Sequence, residues 1–224
     1  MIPIRDEIKT RKVPIVNTLL IAANVIVFIL QWLNGGQSDS LTYQYALIPA
    51  NFLASPGILS FRNIFTSMFM HAGIVHLAGN MLYLWIFGDN VEDRFGHLGY
   101  LIFYLVGGVI GSLTHVFTNP ASTLPTVGAS GAIAAVLGAY LVLYPSSRIL
   151  TFIPLGYFLQ LRPLPAAIVL VMWFILQLFN GVLSFGQVDV GGTAFWAHIG
   201  GFITGVLIGW IVSLRQKTQV KKGW

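Results

Sequence analysis

Apolar residues come in six long runs along this chain, separated by short polar, glycine- or proline-containing breaks. The first (about residues 15–33) and the third (about 98–117) carry no Asp, Glu, Lys or Arg and are long enough to cross a bilayer as helices. The second covers about 64–87, its spanning part beginning near Ile74; the fourth covers 127–144, near the minimum spanning length; the fifth and sixth cover about 164–179 and 194–214. The pattern predicts an all-α membrane protein, a bundle of six transmembrane helices over 15–214. A short basic segment (1–14) precedes the bundle and a basic tail (215–224) follows it. Gln31-Trp32-Leu33-Asn34 offers no small-residue cleavage site, so the first run reads as an uncleaved helix. Residues 34–62 form a long connection whose apolar groups are broken by Pro49 and Pro56. No piece of it can span, so short interfacial helices are expected there, with Arg62 reaching out to water or phosphate.

Composition agrees with a chain dissolved in lipid. Of 224 residues, 56% are hydrophobic and 8% charged, against about 25% charged in a soluble domain. The absence of cysteine excludes disulfides and thiolate metal sites. The net charge of +5 does not point to nucleic acid, because the basic residues gather at the two ends and beside the apolar runs, where they set membrane orientation. Six spans put both termini on one side. With that side cytoplasmic, eleven Lys and Arg lie inside and only Arg62 outside. No nucleotide-binding or EF-hand loop is present, and His71 and His76 lack the carboxylate pattern of a zinc protease. No cofactor and no metal are expected.

In that orientation the second, fourth and sixth helices all enter from the outer side, which brings His76, Asn80, Ser130 and His198 to the outer leaflet. Ser130 stands between glycines at the head of the fourth run, where a helix start exposes its hydroxyl and points backbone N–H groups outward. His76 and Asn80 are four apart and share a helix face. Ser130 and His198 form a nucleophile and base candidate pair. His76, the Asn80 amide and the Ser130 N–H are candidate donors to an oxyanion. Close packing of small residues between membrane helices accounts for the same glycines and serine, and an isolated membrane histidine often serves as a hydrogen-bond partner between helices. Asp89, Glu92 and Asp93 fall on the inner side; Asp39 and Asp189 lie in outer connections. His97 reads as interfacial and His115 as a packing residue. Gly107, Gly111, Gly201, Gly205 and Gly209, at four-residue spacing, read as helix-packing positions.

Three motifs resemble those of the rhomboid family of intramembrane serine proteases. They are Gly128-Ala129-Ser130-Gly131; His76-Leu77-Ala78-Gly79-Asn80, preceded by His71; and Ala197-His198-Ile199-Gly200-Gly201, with Gly205 beyond. The resemblance runs from the first span to the sixth. It implies a catalytic dyad of Ser130 and His198, an oxyanion site using His76, Asn80 and backbone, and transmembrane protein substrates cut near their outer ends. Phe61-Arg62 resembles the family's Trp-Arg pair, with Phe in place of Trp. Many members carry an aromatic residue four positions after the nucleophile, stacked on the base; here that position is Ala134, so another side chain must hold His198. Residues 180–192 are the candidate lid and movement of the fifth helix the candidate entry. A bacterial cytoplasmic membrane is the expected setting, with the site toward the outer face. The rival readings are a non-catalytic rhomboid-like protein that binds transmembrane helices and a small transporter. The spans hold no midplane charge of the kind a transporter uses.

Overall fold

A computed structural model describes residues 1–34, 40–155, 158–185 and 193–222. The chain is mostly helical. Strand β1 (Ile2–Asp6) precedes helix α1 (Ile15–Leu33), and three short helices follow: α2 (Ser40–Tyr45), α3 (Pro49–Ala54) and α4 (Ile58–Ser67). Helices α5 (Ile74–Phe95), α6 (His97–Thr118) and α7 (Ser130–Leu143) come next, then strands β2 (Arg148–Leu155) and β3 (Phe158–Pro165), and finally α8 (Ala166–Leu183) and α9 (Phe195–Lys222).

Helix α7 is the axis of the bundle. Every residue from Gly131 to Tyr140 is buried, and α5, α6 and α9 pack around it. Small residues make this possible, because backbones can touch where no side chain intervenes. A methyl group added at Gly201 would overlap the Gly131 carbonyl oxygen, and one added at Gly205 would overlap that of Ala135. One added at Gly138 would overlap the Phe202 carbonyl oxygen, and one at Gly111 would stand 2.7 Å from that of Ala197. The regular glycines of α9 thus form its seam with α7, and Gly111 of α6 lies at the seam with α9.

Helices α1 and α8 are peripheral. Helix α8 turns Ala166, Val169, Leu170 and Gly181 inward, with Trp173, Phe174 and Gln177 half-buried on the same stripe. Its other face exposes Val171, Met172, Ile175, Leu176, Leu178 and Phe179. An apolar face of that extent needs lipid against it. Among the described residues four helices are long and apolar enough to cross a membrane: α1, α6, α8 and the 195–215 part of α9. Helix α5 carries charge at its C-terminal end, and α7, with 14 residues, extends only about 21 Å.

At the end of the bundle away from Ser130, polar groups lock the elements together. Glu92 of α5 is 1% exposed and accepts from the backbone N–H groups of Val16 (2.9 Å) and Asn17 (2.7 Å) at the start of α1. A carboxylate there satisfies donors that α1 itself cannot, and it faces the positive end of the helix. Tyr100 donates to the Asn17 side-chain oxygen at 2.8 Å, and the Asn17 amide donates to the Leu84 carbonyl at 3.0 Å.

The same end carries a feature absent from the all-α expectation. Strands β1, β2 and β3 form an antiparallel sheet in that order, with Pro3 opposite Thr151 and Thr151 opposite Arg162. Residues 1–14 and 145–162, read from sequence as basic flank and connection, therefore pair with each other. Asp6 at the end of β1 fastens the sheet to the bundle: its Oδ2 accepts from the Tyr140 hydroxyl and the Asn90 amide, both at 2.7 Å.

The long connection after α1 contains short helices, as its broken apolar groups predict. Arg62 finds protein rather than open solvent: it donates to the Gln44 carbonyl at 3.0 Å and lies 4.6 Å from the centre of the Tyr45 ring.

Candidate functional site

Ser130 is the first residue of α7. The loop before it is pinned from two sides. Leu47 and Thr126 exchange backbone hydrogen bonds of 3.2 and 2.7 Å, and the Gly128 N–H donates to the Ser67 carbonyl at 2.9 Å. Gly128 has φ +128°, in the region open to glycine and strained for other residues. Ala129, at the cap position, has no side chain able to accept. The first-turn N–H groups of α7 are therefore left without a side-chain cap beside Ser130.

His76 and Asn80 lie directly behind this loop. A methyl group on Gly128 would be 2.8 Å from both Cε1 and Nε2 of His76 and 3.6 Å from the Asn80 side-chain nitrogen. Only glycine lets the loop settle so near those two side chains. Asn80 Nδ2 is 2.9 Å from Nε2 of His71, and His71 meets the His76 ring edge-on at 5.1 Å between centroids. His71 is itself fixed by Gln31 of α1, whose side-chain oxygen accepts from the His71 N–H at 3.0 Å. Burial, and then the neighbouring His76, pulls the His71 imidazole down to about 4. The Asn80 amide nitrogen can only donate, so Nε2 of His71 accepts from it.

His198 comes from α9 and is buried. Two groups on α8 hold its ring. Nδ1 is 2.8 Å from Oε1 of Gln177, and the Trp173 ring lies 5.7 Å away, centroid to centroid, tilted by 32°. Trp173 and Phe174 also pack on Phe202, one turn beyond His198, at 5.9 and 4.6 Å. These contacts answer the question raised by Ala134, which is fully buried in the core beneath. A ring from the neighbouring helix lies against the base candidate, in place of one from α7.

Ser130 and Ala197, the residue before His198, line one small cavity together with Ser67, Ser112, Thr126 and Gly128. Its volume, about 20 Å³, suits a single water molecule among several hydroxyls. Ser130, His76 and Asn80 are thus gathered around Gly128, and the segment bearing His198 closes the other side. Asp93 bonds the Lys12 backbone and Glu92 the start of α1, about 20 and 18 Å along α5 from Asn80 at the helical rise. Asp39 and Asp189, and the 186–192 part of the candidate lid, lie outside the described residues.

The rhomboid domain model matches residues 59–215, which takes in α5 to α9. The chain belongs to the rhomboid family. It is 36% identical over 135 residues to the rhomboid protease GluP of Bacillus subtilis, covering 60% of this chain and 26% of that protein. It is 30% identical over 185 residues to mitochondrial rhomboid protein 1 of Saccharomyces cerevisiae, covering 79% and 47%. The mitochondrial presenilin-associated rhomboid-like protein of Homo sapiens is 32% identical over 154 residues, covering 67% and 39%. The chain spans between a quarter and about half the length of these relatives. A rhomboid domain is a helical membrane bundle, and this chain is a multi-pass integral membrane protein. Sequence reasoning missed Gln177 and Trp173, although one signal was available: Gln177 is a side-chain amide within the apolar 164–179 run, two residues from its end, and such groups are seldom idle in lipid.

Proposed function

We propose that this rhomboid protein is an intramembrane serine endopeptidase acting on transmembrane protein substrates. Ser130 is the nucleophile and His198 the general base. His198 takes the hydroxyl proton as Oγ attacks the scissile carbonyl, then passes it to the leaving amine as the peptide bond breaks. Water drawn through the small hydroxyl-lined cavity then attacks the acyl-enzyme and gives a proton to His198, which returns it to Ser130 Oγ as the acyl bond breaks and the new carboxyl terminus leaves. The oxyanion of each tetrahedral intermediate is met by His76, the Asn80 amide and the free N–H groups at the start of α7. The observation that carries this reading is the seating of Gly128 against His76 and Asn80, two residues before a serine that opens an uncapped helix.

The chain crosses the membrane six times with both termini cytoplasmic. The membrane is a bacterial cytoplasmic one, as the GluP relative suggests, with Ser130 toward the outer face; an organelle membrane is the alternative the mitochondrial relatives offer. Because α7 is about 9 Å shorter than a hydrocarbon core of about 30 Å, Ser130 starts below the headgroups, in a pocket where irregular backbone is tolerated because it lines protein and water. The substrate enters past α8, and its helix unwinds locally before it can be cut.

The test is a serine-reactive fluorophosphonate together with a single-span reporter substrate. Wild type is labelled and cleaves; Ser130→Ala is folded, unlabelled and inactive. Cleavage by Ser130→Ala would refute the mechanism. A wild type that binds the reporter but is neither labelled nor active would establish a non-catalytic binder of transmembrane helices.

A further inference from the structure

We propose that Gln177 is a positioning residue for His198, and that seating α8 against α9 is therefore what aligns the base. The proposal rests on the serine-protease reading above and adds to it a residue outside the dyad and the oxyanion site.

Nδ1 of His198 and Oε1 of Gln177 are 2.8 Å apart. An amide oxygen can only accept, so Nδ1 carries the proton and Nε2 keeps the lone pair that general-base chemistry needs. The bond selects the tautomer and, with Trp173 against the ring, its orientation. Helix α8 places Gln177 there through its packing. Residues 166, 169, 170, 173, 174, 177 and 181 form one inward stripe, and Gln177 is the amide in the apolar part of it. A side-chain amide in such a helix is costly unless it finds a partner; here the partner is the base. No carboxylate among the described residues takes this place. The titratable groups that face His198 are His76 from α5 and His115 from α6, and α8 presents the neutral amide. Phe174 stacked on Phe202 at 4.6 Å and Gly181 close against Ile199 hold α8 in the position that makes the bond. Displacing α8 to admit a substrate breaks it, so the base returns to alignment only when the helix reseats.

The experiment uses the full chain in liposomes with a single-span reporter, and compares wild type with Gln177→Met and Gln177→Glu. Methionine keeps the length and unbranched shape but offers Nδ1–H only a weakly accepting thioether. Its kcat should fall about tenfold or more, the loss of one net hydrogen bond at the reacting group, with KM within about twofold. Glutamate keeps the acceptor and adds a charge that favours the imidazolium. It should restore turnover at higher pH and move the acidic limb of the pH–rate profile upward. A merely structural amide would give equal losses in both variants, tracking their unfolding temperatures, with no movement of the profile. That result, or an unchanged kcat in Gln177→Met, overturns the proposal. Fluorophosphonate labelling that depends on Ser130 in the wild type separates this failure from failure of the protease reading itself.

Discussion

Replacing Gly128 by alanine tests how tightly the candidate site is built. Two costs follow from the geometry. The backbone at φ +128° is strained for any residue with a Cβ, at about 1–3 kcal/mol. The new methyl would stand 2.8 Å from two atoms of the His76 ring, 0.6 Å inside the 3.4 Å at which ordinary contact begins (3.4 − 2.8). Either the ring or the loop must move by that amount. The fold should survive, since the strain is a fraction of the ~5–15 kcal/mol typical of a domain. The unfolding temperature should drop by a few degrees, at ~2–4 °C per kcal/mol for a chain of this size. Catalysis should suffer more. A displacement approaching 1 Å, or the loss of one oxyanion donor, costs about 10²-fold or more, so kcat/KM should fall about a hundredfold while fluorophosphonate still reaches Ser130. Reporter cleavage in liposomes and thermal unfolding measure the two effects on one preparation. A lowered unfolding temperature with a wild-type rate would refute the placement of His76 and Asn80 as oxyanion donors. Unchanged values of both would refute the steric reasoning.

Two further outcomes concern stability. Glu92→Ala strands two backbone N–H groups of α1, and at ~1.5–3 kcal/mol for each bond to a charged acceptor it should destabilise the protein by about 3–6 kcal/mol; denaturant unfolding showing a loss below about 1 kcal/mol would remove Glu92 from that role. His71 has its pKa lowered from 6.5 to about 4 in the folded protein, so the unfolded chain binds the proton more readily and stability falls as pH drops from about 6.5 toward 4, by up to about 3 kcal/mol. The difference between the stability curves of wild type and His71→Gln over that window isolates the effect, and parallel curves would contradict it.

The parts of this protein that could be read from its sequence are those whose signals are local. Ser130 between glycines, His76 four residues before Asn80, and glycines repeating every fourth position each carry their meaning within a few residues, through helix periodicity and capping. The small sheet does not. Residues 2–6 pair with 149–152 across more than 140 positions, and Pro3, Pro154 and Pro163 break the appearance of a strand in all three segments. The support of His198 was equally hidden. Ala134 signalled that an expected ring was missing, but the replacement came from Trp173 on another helix, a relation that only tertiary packing creates. Gln177 stood out in its apolar run, yet nothing in the run said which polar group it would meet.

The seams around α7 set a limit on how this molecule can change. Where Gly201 and Gly205 rest on the carbonyls of Gly131 and Ala135, there are no rotamers to exchange and no slack to take up a larger residue. The helices bearing Ser130 and His198 therefore move as one stiff spine. Accommodation to a thicker bilayer has to be written into α1 and the loops, which can yield without disturbing the seam between α7 and α9.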